Sequence, residues 1–367
     1  MELRNRKHWK IPETLAIIGE EIKGLISVAI QITFFNISFA VVISHIMLFN
    51  SSFVHDLINF TEDSIHYILF KKMHTKNLYI IYIYYNVESL LNENYRPVLK
   101  WAGGKRQLLG DLIINVPDNF NTYYEPFIGG GALLIKLYSM QRISHAVISD
   151  LNKDLVDLYN VIKNSPYELI EELNSIKFKN NSKDYYTVRN LFNSIDDKVK
   201  RSALLIYLNR HGYNGLYRVN SRNKFNVPYG RYINPGLPSE ANIISLSDVF
   251  SRCAILNVDF ETTVKNACEN DFVYFDPPYM PLNTTSNFTD YTSDGFTQKD
   301  QERLYKVFRR LSDNGVYVME SNSNTDFIRE MYKEFSFREV NARRNINSIG
   351  TKRNHIKELI ITNYGVK

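Results

Sequence analysis

From Pro97 onward, short apolar runs alternate with amphipathic stretches, and that rhythm predicts strands alternating with helices. Residues 123–127 read as a short strand running into Gly129-Gly130-Gly131, followed by an apolar helix from Ala132 to Met140. Ala146 to Ser149 reads as a second strand ending at Asp150, with a helix from about Asn152 to Lys163 behind it. The order resumes with strands at Ala254 to Val258 and Phe272 to Phe275, and a helix from Gln298 to Leu311. A strand at Val316 to Ser321, a helix from Thr325 to Phe335 and a terminal strand at Glu358 to Thr362 complete it. Such alternation implies an α/β fold with a mainly parallel sheet covered on both faces. The interval 165–249 breaks the rhythm, being helical at first and then polar, basic and aromatic. It is expected to be an inserted second domain.

Composition changes this picture little. The chain has 367 residues, 44% of them hydrophobic and 23% charged, enough for a substantial core and more than one domain. A net charge of +5 is compatible with a polyanionic partner but too small to demand one. Cys253 and Cys268 match no metal or disulfide spacing, and the eight histidines form no ligand pattern, so no metal is expected and a reducing cytoplasm fits. Residues 24–55 contain no Asp, Glu, Lys or Arg, a run long enough to span a bilayer. Gln31, Asn36, His45 and Asn50 interrupt it, and the flanking charges give no orientation. Residues 1–92 are therefore expected to be an extension or a buried accessory segment rather than an anchor, with Met73 available as an internal start.

The chemistry concentrates at strand ends. Asp276-Pro277-Pro278-Tyr279 directly follows the run Phe272 to Phe275, at the carboxyl edge where open α/β sheets bind ligands. Proline has no N–H, so the tetrad offers acceptors, the Asp276 carboxylate and a proline carbonyl, beside an aromatic face. That set suits the exocyclic amine of a planar base; the plain alternative is a proline-stiffened turn. Phe127-Ile128-Gly129-Gly130-Gly131 lies between a strand and a helix, where glycines let a backbone approach a ligand. Asp150 ends the next strand, where an acid can hold ribose hydroxyls. Leu134 stands where a dinucleotide motif has its third glycine, which disfavours nicotinamide chemistry. Trp101-Ala102-Gly103-Gly104-Lys105 is not a phosphate loop, because Leu99 and Arg106 occupy positions that need glycine and Ser or Thr. Asp259-Phe260 offers an acceptor and an aromatic face, a pair that by itself is more often structural. Arg210, Tyr213, Asn214, Arg218, Lys224 and Arg231 lie on a glycine-broken stretch, either a solvated loop or a surface that neutralises phosphates and reads base edges.

Taken together, and in this order, these motifs from about Pro97 to Tyr364 resemble the Dam-type (D12 class) adenine-N6 DNA methyltransferases. Residues 281–291, with Gly295 and Phe296, are similar to that family's loop near the substrate pocket. The resemblance implies a Rossmann-like methyltransferase sheet, mainly parallel with an antiparallel C-terminal strand, formed by residues 93–164 and 250–367. It also implies a mostly helical DNA-recognition domain at 165–249. S-adenosylmethionine would be the methyl donor, held by Trp101, Gly103, Lys105, Phe127, Gly129, Gly131, Asp150, Asp259 and Phe260, with Asp276 adjoining. The implied substrate is an adenine flipped out of double-stranded DNA, clamped by Asp276 and Pro277 and stacked on Tyr279, with Pro278 shaping the turn. Arg218 would contact a guanine, and Tyr213 and Asn214 would wedge the duplex. The resemblance further suggests GATC as target and a restriction-modification or host-marking role in the cytoplasm, with a cognate restriction endonuclease as partner. Rival readings are a methyltransferase acting on RNA or a protein amide, a non-catalytic DNA-binding protein, and a membrane-anchored interaction protein resting on residues 24–55 alone.

Overall fold

A computed structural model describes residues 95–101, 103–279, 296–343 and 355–365. Residues 1–92, with the apolar stretch 24–55, and the loop 281–291 lie outside the described residues. The strands are β1 (Tyr123–Glu125), β2 (Ala146–Ser149), β3 (Cys253–Leu256), β4 (Phe272–Phe275), β5 (Tyr317–Ser323), β6 (Ser336–Arg343) and β7 (His355–Thr362). The helices begin with α1 (Leu109–Asn115), α2 (Ala132–Ser139), α3 (Lys153–Asn164), α4 (Pro166–Ser175) and α5 (Ser182–Phe192). They continue with α6 (Lys198–His211), α7 (Glu240–Ser251), α8 (Phe260–Thr263), α9 (Gln298–Asp313) and α10 (Asp326–Met331).

The sheet order is β3-β2-β1-β4-β5-β7-β6, parallel except that β7 runs antiparallel to both its neighbours. Consecutive strands step outward from β1 to β3 in one direction and from β4 to β5 in the other, so the order reverses between β1 and β4. At such a switch point the crossover loops diverge and leave a crevice at the carboxyl ends of the strands. Tyr123 pairs with Phe272 and Tyr124 with Val273, which brings the glycine loop after β1 beside the tetrad after β4.

The unbroken apolar run of β4 follows from burial on both faces. Phe272 and Tyr274 point into a core shared with α2, α3 and α7, while Val273 and Phe275 point into a second core under α9 and α10. Each fully buried Val or Phe there contributes about 2 kcal/mol. Helices α4 to α6 extend the first core, and α6 is buried nearly all round through residues 202–209. Caps set the helix starts: Asn152 accepts from the Leu155 N–H, and Thr297 with Asp300 closes a capping box on α9.

The observed elements depart from the sequence expectation in several places: β5 runs on to Ser323, α9 to Asp313, and β7 begins at His355. Strand β3 runs from Cys253 to Leu256 rather than from Ala254 to Val258. Helix α10 stops at Met331, where the Phe335 N–H turns back to the Tyr332 carbonyl. Strand β6 is not anticipated by the alternation because it is an edge strand, and of Ser336 to Val340 only Val340 is buried. Among the described residues, no helix is long and apolar enough to cross a membrane.

Candidate active site

The glycine loop is shaped by contacts that only glycine permits. Gly129 and Gly131 have φ of +45° and +66°, and a Cβ on Gly129 would lie 2.8 Å from Cδ1 of Trp101. The indole therefore roofs the loop, and it stacks on Tyr217 at 6.1 Å. Asp150 holds the loop from below, its Oδ2 accepting from the Gly129 N–H at 3.2 Å and its Oδ1 from the Asn152 N–H at 2.9 Å. Burial pushes the Asp150 carboxyl up to about 6, against these two N–H donors, which favour the ionised form. The buried Tyr159 hydroxyl donates to the Gly129 carbonyl.

A second turn lies opposite. Gly104 N–H donates to the Trp101 carbonyl at 3.1 Å, Gly103 has φ of +76°, and Lys105 is buried behind them. The Lys105 ammonium donates to the Gly103 carbonyl at 3.0 Å and pairs with Asp276 Oδ1 at 2.7 Å. It also lies 4.5 Å from the centroid of the Tyr279 ring. Lys105, Asp276 and Tyr279 thus share one pocket. Burial pushes Asp276 up to about 6, Lys105 opposes that rise and Glu358 adds to it. The Tyr279 hydroxyl donates to Glu358 Oε2 at 2.8 Å, which fixes the outer edge of the ring. Among the described residues, no donor reaches the Pro277 carbonyl, whereas Gln301 Nε2 donates to that of Pro278 at 3.0 Å.

Phe127 lies at the centre of an aromatic group, 5.4 Å from Phe260 and 5.7 Å from Phe296. Asp259 caps α8 through the Glu261 N–H at 3.0 Å, and Arg303 grips both its oxygens, at 3.1 and 2.8 Å. The same guanidinium lies 4.3 Å over the Phe260 ring. Much of the Asp259-Phe260 surface is therefore engaged within the protein, although a carboxylate gripped this way keeps further lone pairs.

Beyond α6 the chain doubles back, with bridges between Gly212 and Tyr229 and between Val219 and Phe225. Tyr213 and Asn214 are exposed on a tight turn in which Asn214 has φ of +54°. Arg218 is exposed and donates through Nε to Asn226 Oδ1 at 2.7 Å. Lys224 and Arg231 are exposed as well, the former donating to the Asn193 carbonyl. Arg210 faces differently: it is half-buried and donates to the Val98 carbonyl at 2.6 Å, bracing the chain ahead of Trp101. Asn209, which carries no motif signal, is buried and clamps the Lys100 backbone, accepting from its N–H at 2.7 Å and donating to its carbonyl at 2.8 Å. Its amide also donates to the Gly215 carbonyl at 2.8 Å, tying this loop to the turn that carries Trp101 and Lys105. Sequence reasoning missed Asn209, Tyr159, Gln301, Arg303 and Glu358, since each acts through a partner far along the chain.

A glycine loop and an acidic, aromatic cluster facing each other across the switch point suit a nucleoside cofactor beside a planar amine, as an α/β methyltransferase requires. The profile of the "D12 class N6 adenine-specific DNA methyltransferase" family matches residues 101–346, and the chain belongs to that family. It is 44% identical over 281 residues to the Type II methyltransferase M1.LlaDCHI of Lactococcus lactis subsp. cremoris, an overlap of 74% of this chain and 96% of that protein. It is 46% identical over 286 residues to the Type II methyltransferase M.MjaIII of Methanocaldococcus jannaschii, covering 73% and 99%. The DNA adenine methylase of Escherichia coli K12 is 35% identical over 267 residues, covering 72% and 94%. The chemistry of this chain is therefore methyl transfer to adenine in DNA, and the family implies S-adenosylmethionine as the donor.

Proposed function

We propose that the protein methylates N6 of an adenine flipped out of double-stranded DNA, within GATC, as the modification component of a restriction-modification or host-marking system in the cytoplasm. The observation that carries this reading is the shared pocket of Asp276, Tyr279 and Lys105 at the switch point, 2.7 Å separating the ion pair. Type II methyltransferases among the relatives support the restriction-modification setting and a cognate endonuclease as partner. In this reading residues 165–249 recognise DNA and residues 93–164 with 250–367 carry out the transfer.

The cofactor fits what these residues offer. A Cβ at Gly129 would fill the space beneath Trp101, and Asp150 keeps acceptor capacity after its two backbone contacts. Trp101, Gly103, Lys105, Phe127, Gly129, Gly131, Asp150, Asp259 and Phe260 would hold S-adenosylmethionine, with Asp276 at its reactive end. When bound, it supplies an electrophilic methyl group on a sulfonium centre.

An exocyclic amine is a weak nucleophile because its lone pair is delocalised into the ring. Asp276 and the Pro277 carbonyl accept its two N–H groups and so favour pyramidal nitrogen, while Tyr279 stacks on the base and holds its plane. Lys105, which covers that same ring face, moves aside when the base enters. Exposed Arg218, Lys224 and Arg231 meet the duplex, Tyr213 and Asn214 enter the gap left by the base, and Arg210 supports the loop from within. Sequencing DNA from a methylation-free host that expresses this chain, with modified-base detection, tests base and target site together. N6-methyladenine at GATC is expected; another site would refute the specificity alone, and unmodified adenine would refute the activity.

A further inference from the structure

The carboxyl end of β4 rests on a buried polar chain that the transfer scheme above leaves unused. Gln301, on the first turn of α9, donates through Nε2 to the Pro278 carbonyl at 3.0 Å and is fully buried. Its Oε1 accepts from Asn322 Nδ2 at 3.0 Å, and that same nitrogen donates to Glu320 Oε1 at 2.8 Å. Asn322 Oδ1 accepts the Ser323 N–H at 2.8 Å, and the Tyr332 hydroxyl donates to Glu320 Oε2 at 2.7 Å. The direction of the two amide links is determined. Because Asn322 must accept from Ser323, its nitrogen faces Gln301, so the nitrogen of Gln301 faces Pro278. Asn322 and Glu320 are buried on β5, and the capping box at Thr297 and Asp300 fixes the helix turn that presents Gln301.

We propose that Gln301 is a positioning residue for methyl transfer: by holding the Pro278 carbonyl it fixes the peptide plane leading into Tyr279 and leaves the Pro277 carbonyl as the second acceptor for the target amine. This rests on the function proposed above. Tyr279 is then held at both ends, its backbone through Gln301 and its hydroxyl through Glu358. Two adjacent proline carbonyls could otherwise compete for one amine, and the bond to Gln301 removes one from the competition. Proline carries no N–H to anchor the turn by itself, so a side chain from another element has to do so.

The test is single-turnover methylation of a duplex carrying the target site, with DNA and S-adenosylmethionine saturating, by the wild-type full chain, Gln301→Leu and Gln301→Met. Both substitutions remove the donor, and methionine keeps the length and unbranched shape of glutamine. Both variants are expected to react roughly 10- to 100-fold more slowly, the scale of a misplacement near 1 Å. Dissociation constants for S-adenosylmethionine and for DNA should stay within about twofold of wild type, since positioning affects the step and not the binding. A folded variant reacting at the wild-type rate overturns the proposal. Parallel loss of affinity and rate, or failure of both variants to fold, also overturns it by reducing Gln301 to a structural role. If only Gln301→Leu misfolds, Gln301→Met decides. A wild-type protein that leaves adenine unmodified refutes the function instead, so the two failures are distinguishable.

Discussion

Replacing Gly129 or Gly131 with alanine separates two effects that the glycine loop combines. Both residues lie in the left-handed region, at φ of +45° and +66°, where a Cβ costs about 1–2 kcal/mol through its approach to the following carbonyl. At Gly131 the new methyl would meet Cδ1 of Ile128 at 3.5 Å, an ordinary contact, so backbone strain is the whole effect. At Gly129 it would meet Trp101 Cδ1 at 2.8 Å and Nε1 at 2.9 Å. Relief to a normal separation requires the indole to retreat by about 0.7 Å. That retreat disturbs its stacking on Tyr217 and the turn carrying Gly103 and Lys105. Overpacking of this kind adds about 1–3 kcal/mol. Gly131→Ala should therefore lose about 1–2 kcal/mol, and Gly129→Ala about 2–5 kcal/mol, with a separation in Tm of several degrees. Calorimetric titration with S-adenosylmethionine should show affinity at least tenfold weaker for Gly129→Ala than for Gly131→Ala. Equal stability and equal affinity in the two variants would refute the placement of Trp101 over the loop.

Three further outcomes are expected. Asp276→Ala should abolish methyl transfer while S-adenosylmethionine binding, measured by titration, survives; a variant methylating near the wild-type rate would sink the assigned role. Arg218→Ala should lose discrimination at one guanine by about 1–3 kcal/mol in competition binding, while non-specific DNA binding persists, and an unchanged preference would contradict the loop's role. The single-turnover rate should fall as the pH drops, because burial raises Asp276 to about 6 even with Lys105 beside it, higher once Lys105 moves aside, and its protonated form loses an acceptor for the amine. A flat profile from about pH 5 to 8 would refute a burial-raised Asp276 as the group that controls the rate.

Local pattern carried the reading far where burial and conformation are set by neighbours in sequence. Strand β4 was legible because both faces are buried, so every one of its residues is apolar, and the two prolines mark its end. Gly129 and Gly131 were legible because a strand-to-helix turn with φ above zero needs glycine. Strand β6 was not, since it lies at the sheet edge with charged residues such as Arg338 and Glu339 along it. Arg210 read as a surface cation at the start of a glycine-broken stretch, whereas it lies in the last turn of α6 between buried Asn209 and His211. Its half-buried position comes from Val98, a residue 112 positions away.

By itself, then, the sequence determined the succession of strands and helices, the glycine turn, the acceptor tetrad and the family to which they belong. These depend on side-chain type and short spacing. Only the tertiary structure decided that Lys105 meets Asp276, that Arg303 closes on Asp259, that Asn209 joins the loop after α6 to the Trp101 turn, and that Gln301 underlies Pro278. Each of these pairings crosses between elements whose proximity follows from the strand order. Hydrophobic burial sets the order of the layers without regard to which polar ends it brings together, so partners at a switch point emerge only once the sheet has assembled.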